Sequence, residues 1–216
     1  MGQIYITASA TSGKTGVCAS RMWGNPALPE GFGYPVYTDN EGDDYPYFFI
    51  CQINLAELAP YDRENRLPHA GLLSFFAKID WYMGYDAPAD CISGYISGIE
   101  DVKVLYFPDC ANFREIVLVD DEGQPTSPDE LALSFSLAKP GKYCDEHILF
   151  AEPDHREWET WDHPYEDWEI LLQIDSFSGK DFNLNFMDCG VMDFLISPEN
   201  LRRADFSEVR AIVLST

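Results

Sequence analysis

Basic residues are scarce in this sequence: 14 Lys and Arg stand against 37 Asp and Glu, so the formal net charge is −23 at pH 7. A surface of that sign repels nucleic-acid phosphates and anionic lipids. Long apolar runs are also missing, because none approaches the roughly 20 residues of a membrane span. The N-terminus lacks the basic start and apolar centre of a signal peptide. We therefore expect a cytoplasmic protein without a nucleic-acid or membrane partner.

Cysteine and histidine are few, and their spacing argues against a bound metal. The six cysteines form no CxxC pair and several stand in apolar runs, so reduced and mostly buried thiols are expected. The histidines are His69, His147, His155 and His163. Eight-residue gaps between the last three do not place them on one helical face with ligand geometry. We interpret the histidines as solvated loop residues and predict no metal and no cofactor.

A match to a nucleotide-binding motif fails on its surroundings. "ASATSGKTG" (8–16) fits a loose phosphate loop around Lys14, but such a loop needs a helix after Thr15 whose N-terminal amides face the phosphates. Here the helix-hostile stretch "GNPALPEGFGYP" soon follows. "EIVLVDDE" (115–122), which would supply a magnesium ligand, is better interpreted as a buried strand that ends in a turn at 120–123. No nucleotide site is predicted.

Motifs for nucleophilic catalysis do not fit either. "SLAK" (136–139) matches the Ser-x-x-Lys of acyl-transfer enzymes, but Pro140 and Gly141 end any helix at once, so we interpret it as a strand end. The chain contains no Gly-x-Ser-x-Gly elbow. We assign no catalytic residue.

Short β-branched and aromatic runs bounded by turns dominate the chain and predict strands. They are "QIYIT", "YFFICQIN", "GLLSFFAKI", "VKVLYF", "REIVLVD", "ALSFSLA", "ILLQID", "VMDFLIS" and "RAIVLST". Helical signals are shorter: a capping-box pattern in "NLAEL" (54–58), and Ser-Pro starts in "SPDELAL" (127–133) and "SPENLRR" (197–203). One more turn is expected in "DFSEV" (205–209). The predicted class is α+β and β-rich, a mostly antiparallel sheet with short peripheral helices.

A weak internal echo indicates a single domain, 1–216, made of two related half-domains. "QIN" at Gln52 stands 19 residues before Gly71, and "QID" at Gln173 stands 17 residues before Gly190. The half-repeats then cover approximately 20–110 and 140–216. We expect the two Gln-Ile strands to lie side by side, related by an approximate two-fold axis.

The polar residues of the echo are candidates for a shared cleft, because alternate residues of a strand share one face. They are Gln52, Asn54, Gln173 and Asp175. If buried, these side chains need hydrogen-bond partners. They either tie the two halves together structurally or line a cleft between them, and both interpretations stay open.

These same stretches resemble a bacterial family of unknown function, the YwqG-like proteins. The resemblance lies in "WGNPALPEGFGYP", "FFICQINLAEL", "LPHAGLLSFF", "LLQIDS" and "MDCGVMDFLISPENLRRADFSEV", in that order, over roughly residues 20 to 214. Two positions depart from the family's pattern: Trp23 replaces the first of two paired glycines, and the segment 33–35 replaces a Trp-Pro. The resemblance implies a compact β-rich fold with no known cofactor and no established catalytic residue.

The segment 145–169 is the candidate partner surface, because it holds ten acids and one base, together with three Trp and one Tyr. Trp and Tyr anchors ringed by charge are typical of protein interfaces. The residues singled out are Glu157, Trp158, Glu159, Trp161, Asp162, Tyr165 and Trp168. The alternative is an acidic connection that its aromatic residues pin to the core.

The sequence therefore predicts a non-catalytic protein that binds a basic partner, a basic protein, with an immunity-like role by analogy alone. The alternative function is an enzyme or small-ligand-binding protein that uses a cleft between the halves. The sequence does not define an oligomeric state.

Overall fold

The computed structural model describes residues 2–39, 41–79, 92, 94–142, 145–153, 161–178, 183–186 and 189–214. Its first eight strands are β1 (Ile4–Ala10), β2 (Arg21–Met22), β3 (Ala27–Pro29), β4 (Val36–Thr38), β5 (Asp44–Pro46), β6 (Phe48–Asn54), β7 (Leu72–Ala77) and β8 (Val102–Phe107). The next eight are β9 (Phe113–Glu115), β10 (Leu131–Ser136), β11 (His147–Leu149), β12 (Glu169–Asp175), β13 (Phe177–Ser178), β14 (Asn183–Leu184), β15 (Val191–Ile196) and β16 (Arg210–Leu214). The described helices are α1 (Leu55–Leu58) and α2 (Pro198–Arg202).

Ten of these strands form one antiparallel sheet in the order β16-β15-β12-β11-β1-β10-β2-β6-β7-β8. The sheet curls into a nearly closed, barrel-like shape. Phe75 of β7 and Phe194 of β15 stand near opposite ends of the strand order, yet their ring centroids are 5.1 Å apart. Curling of this kind lets one face of the sheet enclose a common core.

The central strands β1 and β10 divide the sheet into two flanks, β16-β15-β12-β11 and β2-β6-β7-β8. Hydrophobic residues cover both faces of each flank. The inner face of the strands carries the main core, which includes Phe75, Leu149 and Phe194. On the outer face, a cluster around Trp161 packs over β12 and β15, and a second cluster around Leu28 packs over β6 and β7. This arrangement explains why β6 and β12 are buried along almost their whole length rather than at alternate residues.

The two flanks of the sheet contain the same local features. After β2 and β11 comes a residue with a φ of +58°, Trp23 in one flank and Phe150 in the other. The N–H of Trp23 donates to the carbonyl of Ile50, and the N–H of Phe150 donates to the carbonyl of Leu171. Each acceptor lies at a β-bulge, where the ladder leaves a backbone group unpaired. The positive φ thus lets the backbone N–H of each left-handed residue donate to the carbonyl that the bulge leaves unpaired.

The predicted α+β class is wrong, because the protein is strongly β-rich and its two helices are short. The segments 54–58 and 197–203 do form helices, capped by the side chains of Asn54 and Ser197. The segment 127–133 does not, because β10 begins within it and pairs with both β1 and β2. Pairing on both sides outweighs a local helical preference. Residues 205–209 form a turn rather than a helix.

Two further expectations about the strands are wrong. The two Gln-Ile strands, β6 and β12, are separated by four strands in the sheet and do not lie side by side. The run before residue 120 is not buried, since Val117 and Val119 are about half exposed. Its turn is present, because the N–H groups of Glu122 and Gln124 donate to the Asp120 carboxylate. Among the described residues, no helix has the length and apolar character needed to cross a membrane.

Candidate functional site

A cavity of about 640 Å³ opens at the junction of the two flanks. It lies between three segments: residues 10–14 at the end of β1, residues 23–25 after β2, and residues 127–131 that lead into β10. Phe177 of β13 lines the remaining side. The ring of Trp23 lies 5.7 Å from the ring of Phe177, so the two aromatic walls come from opposite flanks of the sheet.

Gly24 allows the walls of this cavity to approach one another. Its φ is +70°, and a Cβ at this position would lie 2.7 Å from Cβ of Glu130. The N–H of Gly24 donates to the carbonyl of Pro128 at 3.2 Å, which joins the segment after β2 to the segment before β10. Only glycine combines this backbone conformation with so close a contact.

Trp23 is held in a backbone conformation that suits glycine. A left-handed conformation costs a bulky residue about 1–2 kcal/mol. The resemblance drawn from the sequence leads one to expect a glycine at this position, which agrees with the positive φ. Trp23 is almost fully buried, at 1% exposure, and forms part of the cavity wall. Phe150 has the same φ in the other flank, so this backbone conformation belongs to the framework of the fold.

Arg21 is a buried cation that contacts Asn25 and Glu130, two residues that line the cavity. The guanidinium of Arg21 is fully buried and lies 3.4 Å from Oε1 of Glu115 and 3.8 Å from Oε2 of Glu130. It also donates to the carbonyl of Asn25 at 2.6 Å. Burial lowers the pKa of Arg21, while the two carboxylates raise it. The carboxylates therefore compensate a charge that would otherwise be expensive to bury.

The phosphate-loop residues border the cavity without forming a phosphate site. No helix follows Thr15, since residues 11–20 contain only turns and bends. Nζ of Lys14 is 3.1 Å from Oε2 of Glu115, so its charge is already paired. The N–H of Thr15 donates to the Glu130 carboxylate, which occupies a backbone donor that a phosphate would need. The carboxylates of Glu115 and Glu130 therefore bind the two donors that a phosphate would use.

His147 is buried in β11, so its interpretation as a solvated loop residue is wrong. Its Nδ1 accepts the N–H of Asp175 at 3.0 Å, so the neutral ring carries its proton on Nε2. Nε2 has no hydrogen-bond partner in the described part of the chain. The ring lies 5.7 Å from Phe177, directly behind the cavity wall. Burial lowers the pKa of His147 to about 4.

The other described histidines, His69 and His163, are not part of a metal centre. His69 and His163 are exposed side chains that lie near carboxylates, and His155 falls outside the described residues. Within the described ranges, no group of three or more His, Cys, Asp or Glu residues is arranged to hold a metal ion.

The candidate cleft residues lie in separate flanks and tie loops to the outer face of the sheet. Gln52 accepts the N–H of Ala27 and donates to the carbonyls of Val17 and Ala19. Gln173 donates to the carbonyl of Glu146. These contacts satisfy the buried amides and anchor the segments that cover each flank.

The remaining two cleft residues make similar contacts. Asn54 caps α1 and donates to the carbonyl of Cys18, and Asp175 accepts the N–H of Glu146. Burial raises the pKa of the Asp175 carboxyl. The structure does not bring the four candidates together at the cavity, whose walls are built from other residues.

The candidate partner surface is only partly described, since Glu157, Trp158 and Glu159 lie outside the described residues. Trp161 is buried in the outer cluster over β12 and β15. Tyr165 and Trp168 are half-buried, and their rings meet edge to face at 4.9 Å. Asp162 beside them is exposed, as are two further carboxylates, Glu166 and Asp167.

Sequence reasoning missed Trp23, Asn25 and Phe177, which line the cavity, and His147, whose ring lies against Phe177. Only Trp23 left a signal, because it departs from the paired glycines of the family pattern. The others come together through strand order, which their own segments do not encode.

The fold is a strongly β-rich, barrel-like sheet, and the cavity at the junction of its flanks is its candidate binding site. A profile for DUF1963, a domain of unknown function, matches residues 20–148 and 143–213. The chain therefore belongs to the DUF1963 family. No curated protein matches it.

Proposed function

We propose that this chain is a non-catalytic binding protein for a basic partner protein. One observation carries the proposal: an aromatic pair on the surface is surrounded by carboxylates. We call Asp162, Tyr165, Glu166, Asp167 and Trp168 the aromatic-acidic patch. Its rings are packed on one side against the sheet and half exposed on the other. A guanidinium or ammonium group can stack on such rings while the carboxylates neutralise its charge.

The charge of the whole chain favours the same kind of partner. Six bases already form ion pairs with carboxylates in the described residues: Lys14, Arg21, Arg66, Lys103, Lys139 and Arg203. Acids outnumber bases by 23 overall, so most carboxylates have no basic side chain to balance them. This field speeds encounter with a positively charged protein and slows encounter with an anionic one.

Charge alone does not give tight binding, because exposed ion pairs contribute about 0–1 kcal/mol each. Aromatic contacts with a desolvated guanidinium add about 2 kcal/mol. At the patch, the backbone N–H of Glu166 and the neighbouring His163 lower the pKa of the Glu166 carboxyl, so that group is ionised at neutral pH. We therefore expect arginine to be preferred over lysine at this surface.

Oligoarginine, oligolysine and oligoglutamate peptides of equal length test the proposal by calorimetry. We expect binding of oligoarginine, weaker binding of oligolysine and none of oligoglutamate. Trp168→Ala should abolish the preference for arginine. Neutralising Asp162, Glu166 and Asp167 to their amides should weaken binding of both basic peptides and flatten its salt dependence.

The control variant neutralises Glu41, Asp43 and Asp44 in and beside the β4–β5 hairpin, which removes the same charge from another exposed site. If this variant loses as much affinity as the patch variant, the attraction is diffuse and the patch is not a binding site. Equal affinity of wild type for both basic peptides would contradict the role of the aromatic pair.

Within DUF1963, we propose that the chain is one of the YwqG-like bacterial proteins and acts in the cytoplasm. The ordered motifs from Trp23 to the segment 205–209 support the first part. An immunity-like role, neutralising a basic toxin-like protein, follows by analogy from the acidic surface. The same surface disfavours nucleic acid and anionic membranes as partners.

A second candidate function is the binding of a small ligand at the junction of the two flanks. The observation that favours it is the cavity between Trp23 and Phe177. Its residues differ from those expected for the cleft, and none of them forms a nucleophile–base pair in the described structure. We therefore favour binding over catalysis at this site.

A further inference from the structure

We propose that Cys18 and Cys110 form a reversible disulfide when the protein meets a peroxide. Cys18 stands in the segment that joins β1 to β2, and Cys110 stands in the connection between β8 and β9. Neither residue belongs to the aromatic-acidic patch or lines the cavity. The proposal therefore goes beyond the two binding functions and assigns a modification site.

The fold brings the two thiols into contact although about 90 residues separate them in the sequence. Their side chains form a hydrogen bond, in which the S–H of Cys18 donates to Sγ of Cys110. Both side chains are half-buried, whereas Cys51 is buried and Cys189 is exposed. Two touching thiols that a small molecule can still reach are the arrangement in which one cysteine is oxidised and the other resolves it.

The backbone around Cys18 is anchored to β6. Nε2 of Gln52 donates to the carbonyls of Val17 and Ala19, at 2.9 Å in both cases. Nδ2 of Asn54 donates to the carbonyl of Cys18 itself at 3.0 Å. These three bonds fix the backbone of the segment and leave the thiol outside their network.

The connection that carries Cys110 is also held in place. The N–H of Ala111 donates to Oδ1 of Asp109 at 2.9 Å, and the N–H of Glu30 donates to the carbonyl of Asn112 at 2.9 Å. The next strand, β9, pairs with β3. Both partners thus have anchored backbones, and an S–S bond of about 2 Å forms by rotation of the two side chains.

Protonation determines which thiol reacts first. Burial, together with the hydrogen bond to Cys110, raises the pKa of the Cys18 thiol to about 12. Cys18 therefore keeps its proton at neutral pH. Because the thiolate is the nucleophile, Cys110 is the residue that attacks the oxidant, and Cys18 resolves the product.

The reaction with hydrogen peroxide has two steps. The Cys110 thiolate attacks one peroxide oxygen and the O–O bond breaks; the other oxygen leaves as hydroxide, takes up a proton and becomes water, and Cys110 becomes a sulfenic acid. Sγ of Cys18 then attacks the sulfenic sulfur, the S–O bond breaks, and the oxygen leaves as a second water with the Cys18 proton. A dithiol reverses the reaction by two exchange steps and is itself oxidised to a disulfide.

The charge of the chain favours a neutral oxidant over an anionic one. Oxidised glutathione carries carboxylates, and a net charge of −23 repels it. Hydrogen peroxide is uncharged and small enough to reach a half-buried thiol. The proposed cytoplasmic location would keep the pair reduced between exposures to peroxide.

Treatment of the reduced full chain with hydrogen peroxide, followed by blocking with N-ethylmaleimide and peptide mapping, tests the proposal. We expect a disulfide between Cys18 and Cys110, two fewer blocked thiols, and full reversal by dithiothreitol. Cys189→Ser, at an exposed cysteine, is the matched control and should form the same bond at a rate within about twofold of wild type. No disulfide, or one that links other cysteines, would overturn the proposal.

Two variants test the order of the steps with dimedone, which traps sulfenic acids. Cys18→Ser should stop at the sulfenic acid of Cys110 and become labelled, whereas Cys110→Ser should be labelled at Cys18 at least about tenfold more slowly. Equal labelling of the two, or faster labelling of Cys110→Ser, would overturn the assigned order. The mapping of wild type needs no variant, so poor folding of either one would not rescue the proposal.

Thermal unfolding tests whether the folded chain accepts the bond. A disulfide that closes a loop of about 90 residues restricts the unfolded chain, so oxidation should raise the unfolding midpoint of wild type by at least about 5 °C. Dithiothreitol should remove the shift, and Cys18→Ser should show none. A midpoint of oxidised wild type that is unchanged or lower would show that the fold resists the bond and would overturn the proposal.

Discussion

Acidification should destabilise this protein through His147, because the folded chain holds that ring neutral. The ring is almost fully buried, its Nδ1 accepts a backbone N–H, and its Nε2–H faces no acceptor among the described residues. Burial lowers its pKa to about 4, against 6.5 for an unperturbed histidine. Between these values the unfolded chain binds a proton that the folded chain does not, so stability falls as the pH falls.

The size of the effect follows from the two pKa values. The full difference between about 4 and 6.5 corresponds to about 3 kcal/mol of unfolding free energy once the pH is below both. The contribution of His147 is fully present above 6.5 and is lost progressively below it. Between about pH 7.5 and 5.5 the loss is roughly 1.3 kcal/mol, which denaturant unfolding resolves.

Urea unfolding of wild type and His147→Gln over this pH range isolates the contribution. Glutamine accepts the N–H of Asp175 without titrating, so the difference in unfolding free energy between the two proteins should shrink by about 1 kcal/mol at the acidic end. Asp175 acts in the opposite direction, because burial raises the pKa of its carboxyl, but it is present in every variant. A difference that stays constant with pH would refute the reasoning.

Three further perturbations follow from particular contacts. Trp161→Ala should lower the unfolding free energy by about 3–5 kcal/mol, since Trp161 is buried in the outer cluster; denaturant unfolding measures it, and a loss below about 1 kcal/mol would contradict this packing. Gly71→Ala should destabilise by at least about 2 kcal/mol more than Gly31→Ala, because both have positive φ but only Gly71 places a new Cβ 2.1 Å from the carbonyl of Phe107. Thermal melts of the two variants give the comparison, and equal melts would refute it. Calorimetry should detect no ATP binding to wild type or to Lys14→Ala; micromolar binding lost in the variant would restore the nucleotide hypothesis.

Local patterns predicted the longer strands and two of the helical segments, because those depend on neighbours in sequence, but not the short strands β2–β5, β11, β13 and β14. β6 and β12 were recognisable as dense apolar runs, and Asn54 and Ser197 cap helices in the positions that their sequence patterns indicate. The segment 127–133 was misassigned, because its central position between β1 and β2 is a property of the whole sheet. A local pattern contains no information about strand order.

The candidate site depended on the same missing information. Trp23, Asn25 and Phe177 meet only because β2, β10 and β13 converge at one end of the curled sheet. His147 stood among carboxylates in the sequence and looked solvated, but three buried residues in β11 form a short inner strand between β1 and β12. Burial of such a strand follows from its two neighbours and not from its own composition.

The strand order bears on the half-repeat interpretation, which stays a prediction. Read from either edge, the sheet presents four strands, then one of the central strands β1 and β10. Gln52 lies opposite Ser74 in one flank, and Gln173 lies opposite Asp193 in the other, so a glutamine faces a small polar residue in both. The two flanks thus correspond in their backbone hydrogen bonds as well as in their side chains. Two apolar strands that were similar only by chance would not need to share those backbone contacts.

Comparison of the flanks then separates what supports the fold from what is available for binding. Both flanks use the bulge, the left-handed residue and the buried glutamine, so these features are structural. They differ at the aromatic residue that follows the short strand: Arg66 covers Phe150, whereas Trp23 lies at a cavity. Both rings are nevertheless buried, since Trp23 is 1% and Phe150 3% exposed, so neither aromatic face is open to solvent. The candidate cavity is therefore distinguished by the loops that border it, which differ between the flanks, and not by the framework features that the flanks share.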